Sequence, residues 1–380
     1  MNILIIDGGL QALSVARSLK KAGYYVCAML QKNDVAVRSN FIDDIYITFG
    51  TLDKAEDCIR FLYRILDNKE FAVIIPLSDR TSDWLSLYKK YIEKTYHLKC
   101  AIPDYCVFQK ANDKWLLMEL CENNNIPHPK TRILTYDTLF ETASFVGFPA
   151  LIKPNLSVGA RGITLVNDFN DLCNKYGLIY NQYGECTLQE YIPNDGSPYY
   201  NVMLYRNKQG EIINSVIIEI IRYFPVKGGS SSFCKTIESK KLVDICARTL
   251  SILNWIGFAD FDILKTIDGD YKIIEINPRV PASIRAAEIS GVNFPDIIVK
   301  DILNKVSDKY LYIPNKQLRY LGLDFMWFLS SSKRFSCNPS WFRFFGEDLY
   351  YQEKGAMLFS LLSGFCKICS PSFLKSKLGF

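Results

Sequence analysis

Histidine, long apolar runs and a strong charge bias are all scarce in this sequence of 380 residues. The two histidines, His97 and His128, lie away from every candidate motif, which argues against catalysis by a histidine dyad. No uninterrupted apolar run approaches the roughly 18–20 residues that a membrane span requires. The net charge of +5 is too small to indicate nucleic-acid binding on its own, and we expect none.

An export signal is also lacking at the N-terminus as given. The first apolar stretch ends at Asp7 after four residues, which is too short for a signal peptide. The twelve cysteines are therefore expected to be reduced thiols. The one CxxC, from Cys366 to Cys369, has no second Cys/His pair at metal spacing. We expect a soluble, cytoplasmic protein without a structural zinc.

Strands alternate with helices in the first quarter of the chain. Apolar runs at 2–7, 25–30, 45–48 and 72–76 predict strands, and an amphipathic helix follows the first run. This alternation is typical of an α/β, doubly wound parallel sheet. Shorter strands and tight turns from residue 131 predict an α+β second part, and the C-terminal segment resembles neither. We expect an N-terminal α/β domain at 1–104, a second domain at 105–310 and an extension at 311–380.

A Gly8-Gly9 turn after the first strand raises the question of a dinucleotide site. The fingerprint requires glycine at three set positions, which Asp7, Gly9 and Ala12 would have to fill. Aspartate is a poor substitute at the tight turn, so a plain strand–turn–helix is favoured over an NAD site.

Lys153 leaves a predicted strand and is followed by a loop of small residues that ends at Gly162. An ammonium group and several backbone N–H groups can surround a polyphosphate there. Small residues let the backbone approach the phosphate oxygens closely. The segment is not a P-loop, because no GKS or GKT ends it, and an ordinary hairpin with one exposed lysine is the alternative.

Two acids lie on neighbouring predicted strands that a tight turn joins. A hairpin can bring Asp262 and Glu275 onto one face, with Asn277 on the same side. Such hard oxygen ligands suit Mg²⁺ that is shared with substrate phosphates. Arg279 lies on that face and keeps its charge. Exposed hairpin acids are the alternative.

A third segment, Leu188 to Gly196, could end a strand with exposed backbone. Such backbone can hydrogen-bond an adenine edge, and Asp195 could reach a ribose hydroxyl. Taken alone, an ordinary strand end is the favoured interpretation.

The order and spacing of these three segments, with Asp113-Lys114 upstream, resemble the ATP-grasp superfamily over about residues 1–305. The resemblance implies a biotin-carboxylase-like N-terminal domain followed by an ATP-grasp domain. The most similar members are carbamoyl-phosphate-synthase-like proteins and carboxylate–amine ligases. Many members carry glycine where this chain has Ser157, Val158 and Ala160, and glutamate is common where it has Gln189.

The resemblance also implies roles for individual residues. Mg²⁺, with Mn²⁺ as an alternative, would be held by Asp262, Glu275 and Asn277, and Arg279 would face the transferred phosphoryl group. The ATP-binding residues would be Lys114, Lys153, Ser157, Gly159, Arg161, Gly162, Gln189, Glu190, Tyr191, Ile192 and Asp195.

The activity that the resemblance implies is ATP- and Mg²⁺-dependent joining of a small-molecule carboxylate to an amine through an acyl phosphate. An NAD-dependent oxidoreductase and a non-catalytic ATP-binding regulator are the alternatives. The sequence leaves open whether Arg222, Arg285 and the loop 227–232 bind substrate. It also leaves open a homo-oligomer, and whether the aromatic and basic segment 325–380 packs on the body or contacts a membrane surface or another protein.

Overall fold

The computed structural model describes residues 1–48, 54–156, 161–193, 199–226, 229–306, 310–343, 347–348, 350 and 352–368. The strands are β1 (Asn2–Ile6), β2 (Tyr25–Gln31), β3 (Asp44–Thr48), β4 (Val73–Pro76), β5 (Lys99–Cys100), β6 (Thr131–Leu134), β7 (Ala150–Pro154), β8 (Thr164–Val166), β9 (Cys186–Glu190), β10 (Tyr199–Arg206), β11 (Ile212–Phe224), β12 (Ser230–Ile237), β13 (Gly257–Lys265), β14 (Tyr271–Asn277), β15 (Gln317–Arg319) and β16 (Glu347–Asp348). The helices are α1 (Gly9–Lys21), α2 (Ala55–Leu66), α3 (Asp79–Tyr96), α4 (Tyr105–Asn112), α5 (Lys114–Asn123), α6 (Leu139–Val146), α7 (Phe169–Tyr183), α8 (Lys240–Ile252), α9 (Ile284–Ile289), α10 (Phe294–Ile302), α11 (Leu321–Ser330) and α12 (Lys354–Ile368).

The N-terminal strands form a parallel sheet in the order β3-β2-β1-β4-β5. Because successive strand residues point to opposite faces, Ile3 and Ile5 pack with α1 while Leu4 and Ile6 pack with α2 and α3. Helices therefore cover both faces, and the expected doubly wound sheet is confirmed. The sequence patterns missed β5, which is two residues long.

Two further sheets follow, and the expected α+β second part is confirmed. A four-stranded antiparallel sheet, in the order β6-β9-β7-β8, packs against α6 and α7. A larger sheet has the order β14-β13-β10-β11-β12-β15-β16. One face of the larger sheet packs on α5 and α8, and the other shares a core with α1, α9 and α10. The N-terminal unit thus lies against the face that carries the acids of β13.

Part of the C-terminal extension is anchored by a buried charge cluster. Asp324 of α11 accepts hydrogen bonds from Arg222 Nε (2.7 Å) and Nη2 (2.9 Å) of β11, and its Oδ2 lies 2.6 Å from Arg319 Nε of β15. All three side chains are buried. Further along, the buried Glu353 accepts from Ser39 Oγ at 2.6 Å and from the Asn40 N–H at 3.1 Å. The extension therefore packs on both the large sheet and the N-terminal unit.

None of the helices in the described ranges is both long enough and apolar enough to cross a membrane.

The charge cluster predicts that Asp324→Asn destabilises the protein strongly. Removing one partner of a buried ion pair leaves buried charge uncompensated, which costs about 3–5 kcal/mol. Urea-induced unfolding measures the free energy of unfolding. The matched control is Asp244→Asn, which breaks an exposed pair with Lys240 and should cost less than about 0.5 kcal/mol. Equal losses in the two variants would contradict a structural role for the cluster.

Candidate active site

The β13–β14 hairpin places oxygen-bearing side chains on one face of the large sheet. Asp262 lies opposite Glu275 in the antiparallel register, and Asp260 lies opposite Asn277. Because residues two apart share a strand face, all four belong to one set. The predicted trio of Asp262, Glu275 and Asn277 is therefore brought together on the face that meets the N-terminal unit.

Asp260 is a member of this set that sequence reasoning missed. It is buried, and one of its carboxylate oxygens has no hydrogen-bond partner within the described ranges. Burial raises the pKa of Asp260 to about 8, against the opposing attraction of Arg279. The signal was present in the alternating stretch Phe258-Ala-Asp-Phe-Asp262, where two acids share a face.

Two buried lysines approach the acids from other parts of the chain. Lys114 begins α5, because Asp113 caps that helix by accepting from the N–H groups of Trp115 (2.8 Å) and Leu116 (3.0 Å). The Lys114 Nζ lies 3.9 Å from Glu275 Oε2. Lys153, near the end of β7, donates from Nζ to Gln189 Oε1 at 2.6 Å. Residues that lie far apart in the sequence are therefore close together in the structure: Lys114, Lys153, Gln189 and Glu275.

The acids and lysines perturb one another's protonation. Burial raises the pKa of Asp262 well above its usual range, and the charge of Glu275 adds to this. For Glu275, burial also acts to raise the pKa, but Lys114, a hydrogen bond from Asp262 and the charge of Lys153 together lower it. These opposite shifts favour the proton on Asp262 over Glu275. Burial lowers the pKa of Lys153 to about 8, partly offset by Glu275.

Arg279 follows the hairpin and is held from two sides. Its Nε donates to Asp79 Oδ1 of α3 at 2.9 Å, and its Nη2 donates to Asn277 Oδ1 at 3.2 Å. Burial alone would lower the pKa of Arg279, but the charges of Asp79 and Asp260 raise it. The N-terminal unit thus fixes the guanidinium at the edge of the acid set, a contact that the sequence did not reveal.

The proposed adenine strand uses its side chains for contacts within the protein. Gln189 accepts from Lys153 and donates from Nε2 to Thr131 Oγ1 at 3.0 Å. Glu190 accepts from Lys272 Nζ at 2.8 Å, which links β9 to β14. The backbone N–H groups of Glu190 and Tyr191 are engaged as well, by the carbonyl oxygens of Lys130 (2.8 Å) and Pro149 (3.3 Å). Tyr191 is half-buried and Ile192 is buried at the strand end.

Several predicted nucleotide contacts fall in or beside undescribed segments. Ser157, Gly159 and Asp195 lie outside the described residues, and Arg161 is exposed. Gly162 has a φ of +76°, and a Cβ there would lie 2.7 Å from Pro154 Cγ. Both facts require glycine at position 162 for structural reasons.

The two arginines whose role was open lie in buried ion pairs. Arg222 pairs with Asp324, and Arg285 Nη1 lies 2.6 Å from Glu288 Oε2. These contacts give both a structural role. Of the loop 227–232, residues 227–228 lie outside the described part.

The acid set fits a divalent cation that is shared with a nucleotide. No group of three or more His, Cys, Asp or Glu side chains in the described ranges forms a ready-made metal cage. Mg²⁺, however, commonly takes one or two carboxylates and completes its shell with phosphates and water. Asp262, Glu275 and the Asn277 amide oxygen supply such ligands, and the unpartnered oxygen of Asp260 lies on the same face.

Comparison with known proteins agrees with this geometry. Residues 111–283 match the family model described as an ATP-grasp domain. A D-aspartate ligase from Enterococcus faecium is 22% identical over 326 residues, covering 80% of this chain and 77% of the relative. The carbamoyl phosphate synthase large chain from Sulfolobus acidocaldarius is 24% identical over 325 residues, which are 79% of this chain but only 30% of that protein.

A similar solved structure is the biotin carboxylase domain of the Hydrogenobacter thermophilus 2-oxoglutarate carboxylase. It has a TM-score of 0.70 at 15% identity, covering 83% of this chain and 73% of that one. Residues 111–283 therefore form an ATP-grasp domain. The resemblance seen in the sequence is confirmed, as is the biotin-carboxylase-like fold.

The buried Lys153 predicts a pH dependence of stability in the protein without nucleotide. Burial lowers the pKa of Lys153 from 10.5 to about 8 in the folded protein. Between about pH 8 and pH 10.5 the unfolded chain therefore binds a proton on Lys153 that the folded protein does not. The resulting penalty is present below about pH 8 and is lost as the pH rises towards 10.5. Relative to Lys153→Met, the wild type should gain up to about 3 kcal/mol over this window in urea unfolding.

The control is Lys90→Met, which removes an exposed lysine and should shift the unfolding free energy by less than about 0.5 kcal/mol at each pH. A difference between wild type and Lys153→Met that stays flat across the window would show that Lys153 is not a destabilising buried charge.

Proposed function

We propose that this protein is an ATP- and Mg²⁺-dependent ligase that activates a carboxylate as an acyl phosphate and joins it to an amine. The observation that carries the proposal is the convergence of the buried Lys114 and Lys153 on the Asp262–Glu275 pair. The ligase relative that spans most of both chains supports it. The solved neighbour in complex with MgADP and bicarbonate supports an adenine nucleotide and Mg²⁺.

The proposed reaction needs positioning and charge neutralisation rather than a protein nucleophile. A carboxylate oxygen attacks the γ-phosphorus of ATP, the bond to the β–γ bridging oxygen breaks, and ADP leaves. The amine then attacks the acyl carbon, phosphate leaves, and the nitrogen loses a proton. This chemistry is consistent with a site built of lysines, acids and one arginine.

Each predicted side chain has a role in this proposal. Lys114 and Lys153 neutralise phosphate charge, and Arg279, oriented by Asp79, faces the transferred phosphoryl group. Asp262, Glu275 and Asn277 would hold Mg²⁺, with Mn²⁺ as an alternative. When bound, the metal would neutralise phosphate oxygens and favour loss of the proton from Asp262, because metal ligands must be deprotonated.

The nucleotide itself would lie between the two sheets of the ATP-grasp domain. Its adenine would meet the backbone of the β9 end, and Asp195 would reach the ribose. The residues proposed for adenine are Gln189, Glu190, Tyr191 and Ile192, and those proposed for the loop over the phosphates are Ser157, Gly159, Arg161 and Gly162.

The NAD-dependent alternative is disfavoured by the start of α1. The Gly9 N–H donates to both Asp34 oxygens, at 3.0 and 2.9 Å, and Asp34 also accepts from the Ala36 N–H at 2.7 Å. A Cβ on Gly8 would lie 2.1 Å from the Asp34 carboxyl group. A dinucleotide binds its pyrophosphate at this helix start, where a carboxylate already lies. No observation favours the non-catalytic regulator.

The substrates in this proposal are small molecules, and no nucleic acid is involved. The D-aspartate ligase relative makes an amino-acid carboxylate the first class to test, with D-aspartate as the first compound. A cytoplasmic location, the domain bounds 1–104, 105–310 and 311–380, and a homo-oligomer stay predictions.

The acid pair predicts that Glu275→Gln abolishes ligation. Losing the charge that balances Lys114 and holds the metal should lower turnover by at least about a hundredfold. Phosphate release from ATP is measured with D-aspartate and a panel of carboxylates and amines. The matched control is Glu219→Gln, because Glu219 lies opposite Tyr200 and so on the other face of the same sheet. Full turnover in Glu275→Gln would exclude the assigned metal role.

Acyl phosphate formation predicts the transfer of an oxygen atom. With a substrate carboxylate labelled with ¹⁸O, one labelled oxygen should appear in each phosphate released during ligation, because that oxygen bridges carbon and phosphorus in the intermediate. Mass spectrometry of the phosphate detects it. Unlabelled phosphate during product formation would point to a different means of carboxylate activation.

A further inference from the structure

The C-terminal extension presents an exposed surface that combines aromatic and basic side chains. Phe335 and Phe342 are 74% and 60% exposed, and Phe325 and Leu329 are exposed on α11. Lys333 and Arg343 are exposed between and beside these residues. We call the following set the aromatic–basic patch: Phe325, Leu329, Lys333, Phe335, Phe342 and Arg343.

The patch is held in place by half-buried aromatic rings beneath it. The Phe328 ring lies 4.5 Å from Trp341, 5.5 Å from Phe335 and 5.7 Å from Phe342, measured between centroids. The Phe335 and Phe342 rings stack at 6.3 Å. The exposed rings are therefore ordered by contacts within the protein before they meet any partner.

Helix α11 has two different faces, which explains why the patch stays exposed. Asp324 and Trp327 are buried towards the large sheet, whereas Phe325 and Leu329, four residues apart, face away. Trp341 Nε1 donates to the Asp324 carbonyl oxygen at 3.0 Å, which ties the following segment to the same anchor. The apolar groups of the patch thus project from a rigid base.

The charge of this segment has a single sign. Residues 325–343 contain Lys333, Arg334 and Arg343 and no aspartate or glutamate. The Arg334 guanidinium lies 5.5 Å from the Phe335 ring, so positive charge and apolar surface are adjacent. A surface that offers aromatic rings with cations is complementary to an anionic interface with an apolar interior.

We propose that the aromatic–basic patch binds the surface of an anionic lipid bilayer. Exposed aromatic rings favour the boundary between headgroups and acyl chains, and basic side chains are attracted to anionic headgroups. A second copy of this chain, docked through the same patch, would bring the two cations of the patch, Lys333 and Arg343, against the same two cations of the other copy, so charge complementarity favours the bilayer. The ten residues of α11 are too few to span a bilayer, so the contact is peripheral.

The test uses the full chain and sedimentation with large vesicles. The wild type should pellet with mixed phosphatidylcholine and phosphatidylglycerol vesicles and stay in the supernatant with pure phosphatidylcholine. Raising the salt concentration should release it, since the attraction is screened. Lys333→Glu should weaken partitioning by at least about fivefold, and the pair Phe335→Ser with Phe342→Ser by at least about tenfold.

Matched controls separate the patch from general effects. Phe140→Ser changes a phenylalanine that is 71% exposed on α6, and Lys90→Glu reverses an exposed charge on α3. Both should bind vesicles as the wild type does. The patch variants should stay folded at the assay temperature, as their unfolding midpoints will report. Their phosphate release in solution should equal that of the wild type, because no patch residue belongs to the candidate site.

Three outcomes would overturn the proposal. The first is wild-type protein that does not pellet with anionic vesicles. The second is wild-type protein that binds neutral and anionic vesicles equally. The third is a concentration-dependent dimer in analytical ultracentrifugation that the two serine substitutions abolish without any change in vesicle binding. That result would assign the patch to self-association. None of these outcomes bears on the proposed ligase activity.

Discussion

Asp262 and Glu275 face each other across β13 and β14, and two carboxylates so close can both be ionised only beside cations. The protein supplies those cations from separate parts of the chain: Lys114 from α5, Lys153 from β7 and Arg279 beyond the hairpin. Without them the hairpin would carry buried, unbalanced charge. In the empty site the opposite pKa shifts favour a proton on Asp262 over Glu275, and a divalent metal held there would displace it. The requirement for charge balance therefore brings side chains from both sheets of the ATP-grasp domain together at one site.

The identity of residue 189 changes that balance. Gln189 accepts a hydrogen bond from Lys153 but offers no negative charge. Burial therefore acts on a lysine whose nearest partner is neutral, and its pKa falls to about 8. A glutamate there would favour the charged lysine in the empty site. With glutamine, a polyphosphate bound as proposed would add compensating charge beside that of Glu275, so the proposed site would gain more from binding it.

Much of the architecture could be predicted from sequence, because it depends on local periodicity. The parallel strands, the turn between β13 and β14, and the acids on that hairpin all follow from alternation and turn residues. Contacts between distant segments could not be predicted in this way. Asp79 meets Arg279 across 200 residues, and Asn201 donates to Asp262 from a neighbouring strand. For Arg222 and Arg285, local sequence could not distinguish substrate binding from the buried pairs that the fold provides.

In open α/β sheets, ligands usually bind at the carboxyl ends of the strands. In this protein the carboxylates beyond that edge of the N-terminal sheet contact other groups of the protein instead. Beyond β1, the Asp34 carboxylate accepts from the Gly9 N–H at the start of α1, which disfavours a phosphate there. Beyond β4, Ser78 caps α3 and fixes Asp79 in its first turn, where the carboxylate reaches Arg279. The N-terminal unit therefore contributes its strand ends to the site of the following domain rather than to a nucleotide site of its own.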